Sequence, residues 1–155
     1  MKYKFELFAD YFQFYLQDEQ SKGDLSSSWT EQAVSDMLAV APGIIGVGTV
    51  RNVTVPVEVK VLKSPPTDNF ERWSQVTEAS LETPSGHIII AGCTDYFPDA
   101  ARIIVEPGIY RTRIYYGGLD SVDKSCLEGS DRYEVVLWLD TKVAEPKVLK
   151  KWKAA

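Results

Sequence analysis

The sequence predicts a mainly β protein, an antiparallel β-sandwich or open barrel with one short α-helix near residues 29–40, and three observations lead there. In Val53-Thr54-Val55-Pro56-Val57-Glu58-Val59-Lys60-Val61 valine fills every odd position, and a period of two in β-branched residues marks a strand with one buried face. Four Trp and eight Tyr against two Met suit sheets faced with large flat side chains. Short apolar runs recur between Pro and Gly turns, with a single stretch of helical periodicity among them, as in stacked sheets or a barrel.

The elements follow in order. Tyr3, Phe5 and Leu7 alternate, then the parity shifts to Phe8, Phe12, Phe14 and Leu16 around Ala9-Asp10-Tyr11. Such a shift is a bulge, or two strands joined at a bend. Asp18 to Ser27 is a polar loop. Ser28 and Glu31 have capping-box spacing, and Trp29, Ala33, Met37 and Leu38 recur at helical intervals, so a helix is expected to run to Val40 and stop at Pro42-Gly43. Ile44–Val50 and Val53–Leu62 read as a hairpin turning at Arg51-Asn52. Pro56 lacks a backbone donor, which places its strand at an edge or a bulge. Ser64 to Asn69 is a surface loop, and Trp73 to Glu82 has no clear period. Pro84-Ser85-Gly86 feeds a buried strand from His87 to Ala91. Arg102–Val105, Ile109–Tyr116 and Tyr133–Leu139 complete the strands, and a basic tail around Trp152 follows.

A chain of 155 residues is the size of a single domain, 1–155. Its net charge of −5 and pI near 4.9 argue against direct nucleic acid binding, which needs clustered Lys and Arg; such acidity either keeps the chain soluble or attracts a basic protein. No targeting segment and no membrane span is legible, and two cysteines are too few for a disulfide framework. The expectation is a cytoplasmic protein with reduced thiols and no membrane insertion.

Catalytic chemistry finds little material. His87 is the only histidine, and it shares a strand face with Cys93 and Asp95, yet an extended strand holds His87 and Cys93 about 20 Å apart. One His with two distant Cys is not a zinc set, and the acidic residues between 120 and 131 do not match an EF-hand. Gly46-Val47-Gly48 lacks the lysine and the strand-to-helix setting of a phosphate loop, and marks a bulge or a close backbone approach. Asp95, Asp99 and Glu106 leave a carboxylate hydrolase formally open. The expectation is no enzyme, no cofactor and no metal.

Binding surfaces are more promising. Gly117 to Glu134 carries an acidic bias, and a loop of that length is either a partner-binding element or a solvated connection. Its candidate contacts are Asp120, Asp123, Glu128 and Asp131. Asp18, Glu19 and Asp24 would extend the negative surface if both loops met at one end of the fold. A second reading is a β-sandwich that binds a small ligand or sugar through exposed aromatics, with Tyr96, Phe97, Tyr115, Tyr116 and Trp138 as candidates.

The order of short motifs adds a resemblance. Tyr11-Phe12-Gln13-Phe14, Trp29-Thr30-Glu31-Gln32-Ala33, Pro42-Gly43-Ile44-Ile45, Arg51-Asn52, Val55-Pro56-Val57, Gly86-His87-Ile88 and Pro107-Gly108-Ile109-Tyr110 resemble the bacterial competence protein J family. The resemblance spans roughly residues 11 to 113. It implies a small cytosolic inhibitor of a DNA-entry nuclease and carries over no functional residues; the acidic stretch 117–131 and the basic tail depart from the family pattern. Together with the acidity it gives the expected function: a non-catalytic domain that blocks a basic partner such as a nuclease or toxin.

Overall fold

The computed structural model describes residues 1–154. In chain order its elements are β1 (Lys2–Phe8), β2 (Gln13–Asp18), the helix α1 (Glu31–Asp36), β3 (Leu38–Ala41), β4 (Ile44–Gly48), β5 (Thr54–Leu62) and β6 (Gln75–Thr83). They continue with β7 (His87–Gly92), β8 (Ala101–Ile104), β9 (Gly108–Gly117), β10 (Arg132–Asp140) and β11 (Lys147–Lys150). The strands form a six-stranded sheet ordered β1-β5-β10-β9-β6-β11 and a five-stranded sheet ordered β3-β4-β2-β7-β8. All ladders are antiparallel except the parallel β5–β10 pair.

The alternation in β5 builds the core directly: Val55, Val57 and Val59 are buried on the inner face. Facing them from the other sheet are Phe14, Leu16, Ile45, Val47, Ile88 and Ile90, and the two sheets share one apolar cluster with Leu81, Ile114, Tyr133 and Leu137. Each fully buried side chain of this kind stabilises the fold by about 1.5–3 kcal/mol. The six-stranded sheet is also covered on its outer face, where Trp73, Val76, Tyr115, Val136 and Trp138 pack together. Beside them Glu78, 3% exposed, accepts Arg111 Nη1 at 2.8 Å and Arg113 Nε at 2.9 Å.

Several expectations are corrected. The strands β4 and β5 are not a hairpin, because β4 pairs with β2 and β3 while β5 pairs with β1 and β10. No glycine is available for a tight primed turn, and residues 49–53 instead cross between sheets with several backbone groups paired, while the buried Asn52 Oδ1 has no partner. The Val50 N–H donates to Tyr133 Oη at 3.0 Å, the Asn52 N–H to the Cys126 carbonyl at 3.1 Å, and the Val53 carbonyl accepts from Ala9. β5 is an internal strand, not an edge. Val61 exchanges both backbone bonds with Met1, so odd residues address β1 and even residues address β10. Pro56 therefore turns its missing donor toward β10 one residue before that pairing begins at Tyr133↔Val57.

The helix is also shorter than expected. Thr30, not Ser28, is the N-cap, accepting from the Ala33 N–H at 3.1 Å. Met37 adopts φ 59° and ends the helix after Asp36, and Leu38–Ala41 becomes a strand paired with β4. The parity shift near residue 10 proves to be a bend: β1 and β2 belong to different sheets and are joined by a 3-10 turn, Asp10–Phe12. The unclear segment Trp73–Glu82 holds β6, whose Ala79 and Leu81 reach the core. Gly46 marks a close approach, since a Cβ there would lie 2.6 Å from Leu25 and 2.9 Å from Trp29.

Candidate protein-binding end of the sandwich

Strand directions gather five chain segments at one end of the molecule. Gln13 at the start of β2 pairs with Gly48, Phe14 pairs with Gly92, and Leu38 pairs with Val47, so residues 9–12, 29–37, 49–53 and 92–96 all emerge there. In the other sheet Phe8 pairs with Thr54 and Arg132 with Gly117, which brings residues 118–131 to the same end. These segments hold eight carboxylates (Asp10, Glu31, Asp36, Asp95, Asp120, Asp123, Glu128 and Asp131) against Arg51 and Lys124. The excess negative charge of the chain is thus concentrated on one end. The basic tail supplies a partial counterweight, with Lys151 Nζ 3.3 Å from Asp36 Oδ1 and Trp152 Nε1 donating to Asp120 Oδ1 at 3.0 Å.

The acidic loop is folded upon itself. Gly118 enters it at φ 67°, where a Cβ would meet the Ser130 carbonyl at 2.5 Å. Asp123 receives its own Ser125 N–H and hydroxyl, and the Asp123 N–H donates to the Glu128 carbonyl at 2.9 Å. Ser130 N–H donates to Ser121 Oγ at 2.7 Å and closes the loop. The Ser125 hydroxyl, helped by backbone N–H groups, holds the Asp123 carboxyl below its ordinary range, so it stays ionised at neutral pH.

The four candidate carboxylates separate into two kinds. Asp120, Asp123 and Glu128 are exposed. Asp131 is 1% exposed and forms an ion pair with Arg51 Nε while accepting Tyr133 Oη at 2.6 Å. It therefore anchors the loop and is not a surface contact. Burial, reinforced by the hydrogen bond to Asp131, pushes the Tyr133 hydroxyl far above its ordinary value, so that hydroxyl remains a donor. Asp18 and Glu19 do not join this surface, because Asp18 is the last residue of β2 and the acidic loop lies beyond its first, about 17 Å away at ~3.3 Å per residue. Asp18 is buried and accepts Thr83 Oγ1 at 2.5 Å and Ser85 Oγ at 2.6 Å.

The same end of the molecule holds an apolar groove of about 460 Å³, lined by Tyr11, Phe12, Trp29, Val34, Met37 and Thr49 among others. Tyr11 is 69% exposed, Val34 61% and Phe12 43%. Tyr11 and Phe12 sit at φ 59° and 60°, and Met37 at 59°, so three of the five non-glycine residues with positive φ among the described residues line this one groove. Large side chains adopt that region rarely and at a cost. The parity shift was the available sequence signal for the turn; its left-handed backbone left no mark in composition.

The remaining candidates do not assemble. His87 Nδ1 is 3.3 Å from Glu19 Oε2 at one end of β7, while Cys93 follows the other end. Burial, then the charges of Asp10 and Asp95, push the Cys93 thiol up, opposite to what a thiolate nucleophile requires. Cys93 and Cys126 are both free thiols. Asp95 accepts the Gly92 N–H at 2.8 Å at the acidic end, whereas Glu106 follows β8 at the opposite end, so they do not face each other across a cleft. Tyr116 lies wholly inside the core, Tyr115 and Trp138 pack on the outer face of the six-stranded sheet, and Tyr96 sits on a distant loop. These aromatics converge on no common pocket. Among the described residues no three His, Cys, Asp or Glu side chains group to hold a metal ion, and no helix is long and apolar enough to cross a membrane.

The class defined by this geometry is a two-sheet, mainly β protein with an acidic loop end. Solved structures with the same fold include ComJ from Bacillus subtilis, described as the inhibitor of the DNA degrading activity of NucA, at TM-score 0.67 and 14% identity, covering 90% of this chain and 96% of that one. Another is the crocagin biosynthetic gene J protein, at TM-score 0.61 and 14% identity, covering 91% of this chain and 98% of the other. The likeness is one of fold, and it agrees with the motif order read along the sequence. No family model and no curated protein matches the sequence.

Proposed function

We propose that this protein is a non-catalytic inhibitor that binds a basic nuclease or toxin and blocks its active cleft, acting in the bacterial cytoplasm without contacting nucleic acid itself. The carrying observation is the concentration of carboxylates at one end of a rigid β scaffold, on a fold shared with a nuclease inhibitor. A cleft that binds DNA phosphates presents positive potential, and a folded acidic loop complements it. Asp120, Asp123 and Glu128 are the proposed contacts, and Asp131 holds them in place through Arg51.

The test is a titration of the purified chain into plasmid digestion by NucA and, in parallel, by any nuclease that co-purifies with the tagged chain from its own cells. Stoichiometric inhibition that weakens as salt rises supports the reading. Neutralising the loop with Asp120→Asn, Asp123→Asn and Glu128→Gln is expected to weaken inhibition by on the order of tenfold at low salt, mainly through slower association. Unchanged affinity and unchanged salt dependence in that variant would remove the electrostatic part of the proposal, and a wild-type chain that inhibits neither nuclease would remove the rest.

A further inference from the structure

We infer that the groove formed by the Tyr11-Phe12 turn and α1 is the specificity-bearing half of the binding surface, and that it takes an apolar side chain of the protein partner flanked by Lys or Arg. The inference rests on the inhibitor reading and names the part of the partner that the acidic end receives.

Three features converge on this groove. Its rings are presented to solvent where burial was available nearby: Tyr11 is 69% exposed although Phe14, three residues on, is fully buried. Its backbone is held in a conformation that bulky residues disfavour at Tyr11, Phe12 and Met37 together, and such concentrations of strain belong to ligand clamps and switch regions. Its surroundings are acidic, with Asp10 preceding the turn, Glu31 on α1 and Asp95 on the adjoining loop. Exposed aromatic rings that a partner would desolvate, with charge around them, are the usual anatomy of an interface hot spot.

Charge decides among occupants. Nucleic acid is repelled by the same carboxylates. A second copy of the chain, docked end to end, would set seven unburied carboxylates against seven, so self-association through this face is disfavoured. An apolar side chain between cations meets both the groove and its rim.

The test uses Tyr11→Asn and Phe12→Asn in the full chain. Asn tolerates the left-handed region, so these variants keep the turn and relieve its strain while deleting the rings. Expected are a thermal midpoint equal to or above that of the wild type for Tyr11→Asn and at least a tenfold loss of inhibition of the nuclease that the wild type inhibits. The Glu31→Gln variant separates the acidic rim from the groove and is expected to show a shallower salt dependence while inhibiting as the wild type does at high salt; a steeper or unchanged dependence would remove Glu31 from the rim. If the wild type inhibits and both ring-deleted variants inhibit equally well, the groove assignment is wrong while the inhibitor reading stands. If the wild type inhibits no nuclease, the inhibitor reading fails first. Concentration-dependent dimers in gel filtration that disappear in Tyr11→Asn would overturn the assignment in favour of a second copy.

Discussion

Removing the charge on Asp131 tests whether the acidic loop is held by its buried pair. The Asp131 side chain has no exposed surface and the Arg51 side chain only 14%, so Asp131→Asn leaves a guanidinium with little access to water and no counter-charge. Breaking one side of a buried pair costs about 3–5 kcal/mol. The Asn side chain still accepts from Tyr133, so the hydroxyl is not orphaned as well. With a urea m-value of about 1–3 kcal/mol/M, the unfolding midpoint is expected to fall by roughly 2 M. The double variant Arg51→Met with Asp131→Asn removes the stranded charge and should recover about 2 kcal/mol of that loss, a coupling that urea titrations of the four proteins measure directly. A single variant that loses less than about 1 kcal/mol, or a double variant whose losses simply add, would refute the argument that this pair is a buried electrostatic unit.

Asp18 is opposed by burial, but hydrogen bonds from Ser85, Thr83 and the Gln20 N–H outweigh it and hold the carboxyl below its ordinary 3.8. Its contribution is therefore complete above the unfolded value and lost as pH falls through the lowered folded one; Asp18→Asn should flatten the acid limb of urea midpoint against pH. Tyr116 donates to the Met37 carbonyl at 2.6 Å and shares a 3.0 Å contact with Thr77, so Tyr116→Phe should cost about 1–3 kcal/mol in denaturant unfolding. Burial raises both Tyr116 and Tyr133 above the ordinary 10.0, so stability should be intact below pH 10 and decline above it, with tyrosinate absorbance appearing together with unfolding. Tyr11→Asn should raise stability by about 1 kcal/mol by relieving the left-handed strain, as read by thermal unfolding.

Local pattern made much of the fold legible. The valines of β5 and the alternation Tyr133, Val135, Leu137 wrote their burial into the sequence because a strand's faces depend only on parity, and the unbroken run Ile88-Ile89-Ile90 marked a strand buried on both faces. Pairing partners did not show, since Arg51-Asn52 looks like a turn whether the chain folds back or crosses to another sheet. The end of α1 was hidden for a similar reason: Met37 is a good helix former, yet it takes φ 59° where the chain passes so close to β4 that a Cβ on Gly48 would lie 3.0 Å from its Cα. At the candidate site, composition located the acidic loop but did not distinguish Asp131 from its neighbours. Its partner Arg51 is 80 residues away, and only the fold joins them. The Tyr11-Phe12 turn announced itself as a parity shift, while its exposure depended on the chain crossing there from one sheet to the other.

In the proposed function, one end of this molecule is its binding surface. Amide hydrogen exchange of the full chain, alone and with the nuclease it inhibits, tests this most directly. New protection is expected in residues 9–12, 29–37 and 118–130, with little change at the opposite end around residues 83–86 and 105–107. Protection confined to that opposite end, or to the outer face of the six-stranded sheet, would contradict it.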